Sequence, residues 1–139
     1  MSSDNSRKVS LMKKLGIKEG FRIAIIQAPP SYVETLGKLP FRASLEEDKV
    51  AKGGEFNLIH FFAKRLVDLE REFPKIPPKL SRDGMLWISW PKKSSGVKTD
   101  LSDNCVRKVG LDNEMVDVKV AAIDETWSAL KFVFRKIRN

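Results

Sequence analysis

The chain has 139 residues, 42% hydrophobic and 32% charged, which suits one globular domain with its own core. A single cysteine, Cys105, excludes an internal disulfide and a multi-thiolate metal site, and a single histidine, His60, excludes a His-pair site, so no metal is expected. No apolar run approaches the roughly 20 residues of a membrane helix, and Met1-Ser2-Ser3-Asp4-Asn5-Ser6-Arg7-Lys8 lacks the apolar stretch of a signal peptide, so a cytoplasmic protein is expected.

The net charge of +8 is unevenly spread. Residues 1–22 carry Arg7, Lys8, Lys13, Lys14, Lys18 and Arg22 against Asp4 and Glu19. Residues 131–139 carry Lys131, Arg135, Lys136 and Arg138 with no acid, and the stretch between is neutral. Basic ends of this kind meet acidic partners or phosphate backbones. No reading motif accompanies them, so nucleic acid is not an expected partner.

In chain order, residues 1–6 are expected to be disordered. Residues 7–15 form a short helix with Leu11, Met12 and Leu15 on one face and Gly16 as its stop. Residues 21–27 are a mostly apolar run, the mark of a strand buried on both faces. Ala28-Pro29-Pro30 ends it, Ser31 is placed to cap a helix, and Gly37 closes that helix. Residues 41–45 form a short second strand, and a polar connection through Glu46-Glu47-Asp48 and Lys52-Gly53-Gly54 leads to a third at 56–62. A helix over 63–73 has Leu66, Leu69 and Phe73 at helical spacing, until Pro74, Pro77 and Pro78 break it. Residues 85–90 are the fourth strand, and Pro91-Lys92-Lys93-Ser94-Ser95-Gly96 is a polar loop. Thr99 or Asp100 caps the next helix, with Leu101, Cys105 and Val109 on its apolar face and Gly110 at its end. Residues 116–123 and 130–135 alternate as strands, with a connection too short for a parallel crossover, so they pair antiparallel.

Strands separated by helices give an α/β fold: a Rossmann-like three-layer sandwich with a mostly parallel sheet. The expected strand order is 2-1-3-4-6-5, closed by a C-terminal antiparallel hairpin, in one domain over 1–139.

This pattern resembles the Rossmann-like fold of S-adenosylmethionine-dependent methyltransferases, which also ends in an antiparallel hairpin. The resemblance implies a glycine-rich turn after the first strand and an acid after the second that holds the cofactor ribose. Glu46 or Glu47 stands where that acid would be, and Asp83-Gly84-Met85-Leu86 looks like a glycine turn leading into a later strand. The turn after the first strand is Gln27-Ala28-Pro29-Pro30-Ser31-Tyr32, without glycine and with two prolines that donate no N–H. No cofactor is therefore expected, and S-adenosylmethionine is expected to bind weakly or not at all. The blocks Lys14-Leu15-Gly16-Ile17, Gly84 to Lys93 (GMLWISWPKK), Ser95-Gly96-Val97, Val116-Asp117-Val118-Lys119-Val120 and Asp124-Glu125-Thr126-Trp127-Ser128 also resemble a family of small bacterial proteins known only as a domain of unknown function. That resemblance implies the fold and supplies no activity.

In open α/β sheets, ligands bind outside the carboxyl ends of the strands near the switch point. The topology brings Ser31 and Tyr32 to that rim with Pro29 and Pro30, followed by His60 and Phe62 from the third strand. Trp90, Lys92, Lys93 and Ser94 come from the fourth, and Asp124, Glu125 and Trp127 from the hairpin tip. No Ser-His-Asp order, P-loop or paired-carboxylate spacing stands out, so no catalytic residue is assigned. Lys92 and Lys93 are expected to pair with Asp124 or Glu125, His60 to be structural and Cys105 to be an inert core thiol. Trp87 and Trp90 are out of phase and face opposite sides of the sheet.

The first functional reading is a small non-enzymatic or cryptic Rossmann-like binding or regulatory domain, taking a small anionic ligand or an acidic partner. The alternatives are a divergent S-adenosylmethionine-dependent methyltransferase and a basic-tailed protein associated with nucleic acid.

Overall fold

A computed structural model describes residues 10–47 and 55–136. The disorder expected of residues 1–6, the first turn of the predicted 7–15 helix and the polar connection over 48–54 lie outside the described residues.

The elements run α1 (Leu11–Leu15), β1 (Arg22–Ile26), α2 (Tyr32–Leu36), β2 (Ser44–Glu47), β3 (Phe56–Phe62), α3 (Leu66–Glu72), β4 (Leu80–Pro91), α4 (Asp103–Asp112), β5 (Met115–Ala122) and β6 (Trp127–Phe134). All six strands join one sheet in the order β2-β1-β3-β4-β6-β5, as the sequence pattern predicts. β1 is parallel to β2 and β3, β3 is parallel to β4, and β6 runs antiparallel to both β4 and β5. The unalternating apolar runs of β1, β3 and β4 occupy the centre, where both faces are covered.

Two apolar cores flank the sheet. On one face Leu11 and Leu15 of α1 and Tyr32 and Leu36 of α2 cover Ile23, Ile25, Leu58, Phe62 and Trp87. On the other, Leu69 of α3 and Val106 and Val109 of α4 cover Ile59, Phe61, Leu86, Ile88, Trp90 and Phe132. Trp87 and Trp90 thus enter opposite cores, as their phase requires. Trp87 is fully buried, and its indole N–H donates to the Leu15 carbonyl at 3.0 Å, tying α1 to the sheet.

Several boundaries differ from the sequence reading for local reasons. β2 begins three residues late because residues 40–43 form a turn, with the Ala43 N–H on the Pro40 carbonyl and Arg42 at φ 61°. β4 begins at Leu80, so Asp83 and Gly84 lie inside the strand, where its register against β3 shifts. The prolines after α3 form two 3₁₀ turns, Phe73–Lys75 and Pro77–Lys79. α4 is capped by Ser102, whose hydroxyl accepts the Cys105 N–H, while Asp100 accepts the Leu66 N–H instead. α4 runs through Gly110, whose missing side chain admits Phe132: a Cβ there would stand 2.0 Å from Phe132 Cε1. Cys105 is half-buried, packed against the edge of the core beneath α4 with its sulfur beside the Ser102 hydroxyl.

Candidate functional site

β1 and β3 are neighbours, and the chain leaves them toward opposite faces. After β1 it enters α2 on one side, and after β3 it enters α3 on the other. The two connections part at this switch point, where open α/β sheets bind ligands. A cleft of about 400 Å³ opens there, within the range of small-molecule sites.

The residues after β1, Gln27, Ala28, Pro29 and Pro30, form one side of it. Phe62 ends β3, and Lys64, Arg65 and Asp68 follow into α3. Trp127 closes the remaining side, because antiparallel β6 starts where the parallel strands end. Phe62 and Trp127 meet edge to face, with ring centroids 5.1 Å apart. Gln27 adopts φ 57°, so the turn takes the left-handed backbone that glycine usually supplies.

Behind Phe62 lies a buried polar rod. His60 is fully buried in β3, with the Tyr32 hydroxyl 2.7 Å from Nδ1 and the Ser89 hydroxyl 2.6 Å from Nε2. One ring nitrogen donates and the other accepts, so every polar atom of the rod has a partner. Burial pushes the His60 pKa down to about 3 and the Tyr32 hydroxyl well above its usual range, leaving both neutral. The imidazole stacks on Phe62 at 4.2 Å, and Tyr32 meets the same Phe62 ring edge-on at 5.0 Å. Tyr32 also donates its N–H to the Pro29 carbonyl at 3.0 Å, so the rod holds both the β1 loop and the aromatic wall.

The rim expected from sequence divides into several places. Trp127 lines the cleft. His60 and Tyr32, expected at the rim, lie inside: residue 60 is paired on both sides in the sheet, and Tyr32 turns inward to meet it. Trp90, also expected at the rim, is buried in the core beneath α3 and α4. Ser31 is exposed and makes no side-chain cap; its carbonyl accepts the Thr35 N–H and hydroxyl. The loops bearing Lys92, Lys93 and Ser94 and bearing Asp124 and Glu125 do meet, with the Lys92 N–H on the Thr126 carbonyl at 2.7 Å. The ion pair expected between those lysines and acids does not form among the described residues. Asp124 turns its carboxylate onto the N–H groups of Thr126 and Trp127, both at 2.8 Å, which folds the hairpin tip.

Gln27, Lys64, Arg65 and Asp68 were not among the expected site residues. Lys64 and Arg65 directly follow the apolar run of β3, so the rule that named residues after the first and fourth strands also reaches them. Asp68 pairs with Arg71 at 2.9 Å, whereas Lys64 and Arg65 are exposed and make no ion pair among the described residues. Antiparallel β6 carries Arg135 and Lys136 to the opposite end of the sheet, away from the cleft. No helix of the described residues is long and apolar enough to cross a membrane.

Solved structures that share this fold include methyltransferases. The magnesium protoporphyrin IX methyltransferase of Synechocystis with bound SAH (S-adenosylhomocysteine) superposes with a TM-score of 0.62 at 11% identity, over 89% of this chain and 78% of that one. The same enzyme with bound SAM (S-adenosylmethionine) gives 0.57 at 10% identity, over 90% and 74%. A SAM-dependent methyltransferase of Aquifex aeolicus gives 0.61 at 11% identity, over 88% and 86%. No family model and no curated protein matches the sequence. The fold is therefore that of the Rossmann-like methyltransferases.

These neighbours overturn the expectation of no cofactor and of weak or absent S-adenosylmethionine binding, because they hold SAM or SAH on the same fold. The expectation rested on the missing glycines and on two prolines that donate no N–H. What a glycine supplies in such a turn is a positive φ, and Gln27 adopts one itself.

Proposed function

We propose that this chain is a divergent S-adenosylmethionine-dependent methyltransferase. The observation that carries this reading is the cleft at the β1/β3 switch point of a methyltransferase-like sheet. The comparisons support it over the non-enzymatic binding module.

The residues at the carboxyl ends of β1 and β2 fit the cofactor. Gln27 and Ala28 turn the backbone across the mouth of the cleft, and Pro29 and Pro30 give it a rigid apolar edge. Arg22 occupies Glu46 at 2.9 Å, which leaves Glu47, exposed at the last residue of β2, for the ribose hydroxyls. When bound, the cofactor supplies an electrophilic methyl group on a sulfonium. Phe62 and Trp127 exclude water from one wall. Among the described residues, the titratable acid of the cleft is Asp68, and Arg71 holds it. The site thus binds and orients, and the acceptor brings a lone pair that is already available.

The kinship suggested by the WPKK and DETW blocks, a cytoplasmic location and an anionic or acidic partner belong to the same proposal. Calorimetric titration with S-adenosylmethionine and S-adenosylhomocysteine tests it. Both should bind, and Glu47→Ala should weaken them about tenfold, the loss of one charge-assisted pair of hydrogen bonds. The absence of both heat and a melting shift at millimolar ligand would sink the reading.

A further inference from the structure

We propose that the rim outside the cleft mouth binds the phosphate backbone of a nucleic acid, which makes nucleic acid the acceptor class. The acceptor role rests on the methyltransferase reading; the binding surface stands without it.

Five cations meet on this rim from distant parts of the sequence. Lys64 and Arg65 follow β3 at the edge of the cleft. Lys98 joins them, because the hydroxyl of the next residue, Thr99, donates to the Lys64 carbonyl at 2.6 Å and Asp100 accepts the Leu66 N–H at 2.8 Å. Lys92 and Lys93 follow β4, and the Lys92 N–H on the Thr126 carbonyl seats them against the hairpin tip. β3 and β4 are parallel neighbours, and the Ala63 N–H donates to the Ser89 carbonyl at 2.9 Å, so their two loops leave the sheet side by side.

These cations are free for a partner. None of the five makes an ion pair among the described residues. Lys64, Arg65, Lys93 and Lys98 are exposed, and Lys92 is half-buried. The nearby acids are mostly engaged elsewhere. Arg71 holds Asp68, Asp124 accepts two N–H groups of the hairpin tip, and Asp100 accepts the Leu66 N–H. Glu125 is the acid left exposed beside Lys92 and Lys93. Cations therefore exceed acids on the rim, in a chain whose net charge is +8. Hydrogen bonds between the loops hold the five close together before any partner arrives.

Clustered Lys and Arg on one face of a basic chain are the footprint of a polyanion. An acidic protein surface would be met by an apolar centre within the patch. Here Trp90 and Trp127 are buried, and Val67 is the exposed large apolar side chain next to Arg65 among the described residues. With no exposed ring to stack a base, the contacts fall on phosphates and carry no sequence preference. That agrees with a sequence that holds no reading motif.

The test is binding of fluorescein-labelled oligothymidylate to the full chain, followed by anisotropy across a series of salt concentrations. The logarithm of affinity should fall linearly with the logarithm of salt, by about 0.7 for each phosphate contact. Lys92→Gln with Lys93→Gln should flatten that slope by about 1.4 and leave S-adenosylmethionine affinity within about twofold. Lys64→Gln with Arg65→Gln should flatten it similarly. Arg135→Gln with Lys136→Gln, at the opposite end of the sheet, should leave it unchanged. No binding at low salt, rim variants that keep the full slope, or a slope lost only with Arg135 and Lys136 would overturn the proposal. Polyglutamate that competes as well as oligothymidylate overturns it too, in favour of an acidic protein partner. S-adenosylmethionine binding without oligothymidylate binding defeats this inference alone. The reverse result upholds the surface and defeats the methyltransferase reading.

Discussion

The Tyr32 hydroxyl stands 2.7 Å from Nδ1 of a fully buried His60, and that contact ties the loop after β1 to the centre of the sheet. Tyr32 lies one residue beyond the two prolines, after Ser31, and His60 lies two residues before the aromatic wall of the cleft. The geometry of the cleft therefore depends on a pair of groups that never touch solvent.

Acid should expose this dependence. Burial holds the His60 pKa near 3, whereas in the unfolded chain it returns to about 6.5. Between those values the unfolded chain binds the extra proton, so the contribution of His60 is complete above about pH 6.5 and is lost as pH falls toward 3. The slope approaches about 1.4 kcal/mol per pH unit within that window. Urea unfolding from pH 7.5 to 4.5 measures it, with His60→Gln as the non-titrating reference. The variant should be less stable at pH 7.5 and show a shallower pH dependence; parallel curves would refute the assignment.

Gly110→Ala should destabilise, although alanine is the better helix former by about 1 kcal/mol. The added Cβ would meet Phe132 at 2.0 to 2.7 Å, and Phe132 is fully buried. Overpacking of this kind costs about 1–3 kcal/mol or more. Chemical denaturation of Gly110→Ala, and of the same change combined with Phe132→Leu, separates the terms. The smaller ring should recover part of the loss.

The sheet order was legible because the chemistry that encodes it is local. Unalternating apolar runs at 56–62 and 85–90 mark central strands, and the short connection before residue 130 forces a hairpin. The site was less legible because side-chain direction depends on register. His60 is paired on both sides in the sheet and points inward, a fact that the apolar run cannot show. Gly110 reads as a helix stop from sequence, and only the position of Phe132 reveals a packing role. The glycine-free turn with its two prolines predicts weak or no cofactor binding, since sequence does not reveal that Gln27 adopts φ 57°.

Glu114 offers a gain in stability. It follows α4 with φ 64°, its side chain is exposed, and a left-handed backbone costs a side-chain-bearing residue about 1–2 kcal/mol. Glu114→Gly removes that strain at some cost in unfolded-chain entropy. A net gain of about 0.5–1 kcal/mol is expected. A melting temperature unchanged or lowered would show that the turn is held by the glutamate itself.

At the hairpin tip, two adjacent acids should behave differently. Asp124 accepts the N–H groups of Thr126 and Trp127, and so sets the angle at which Trp127 enters the cleft. Glu125 is exposed and pairs with neither Lys92 nor Lys93 among the described residues. Glu125→Ala and Lys92→Ala should therefore change stability by no more than about 0.5 kcal/mol, as ordinary surface substitutions do. Asp124→Ala leaves two turn N–H groups without their acceptor and should cost about 1 kcal/mol. It should also shift the emission of Trp127, because the indole loses its fixed position against Phe62. Asp124→Asn keeps one acceptor oxygen and should restore both the emission and most of the stability. If Asp124→Ala leaves emission and unfolding unchanged, Trp127 is held by its packing on Phe62 alone, and the carboxylate has no part in shaping the cleft.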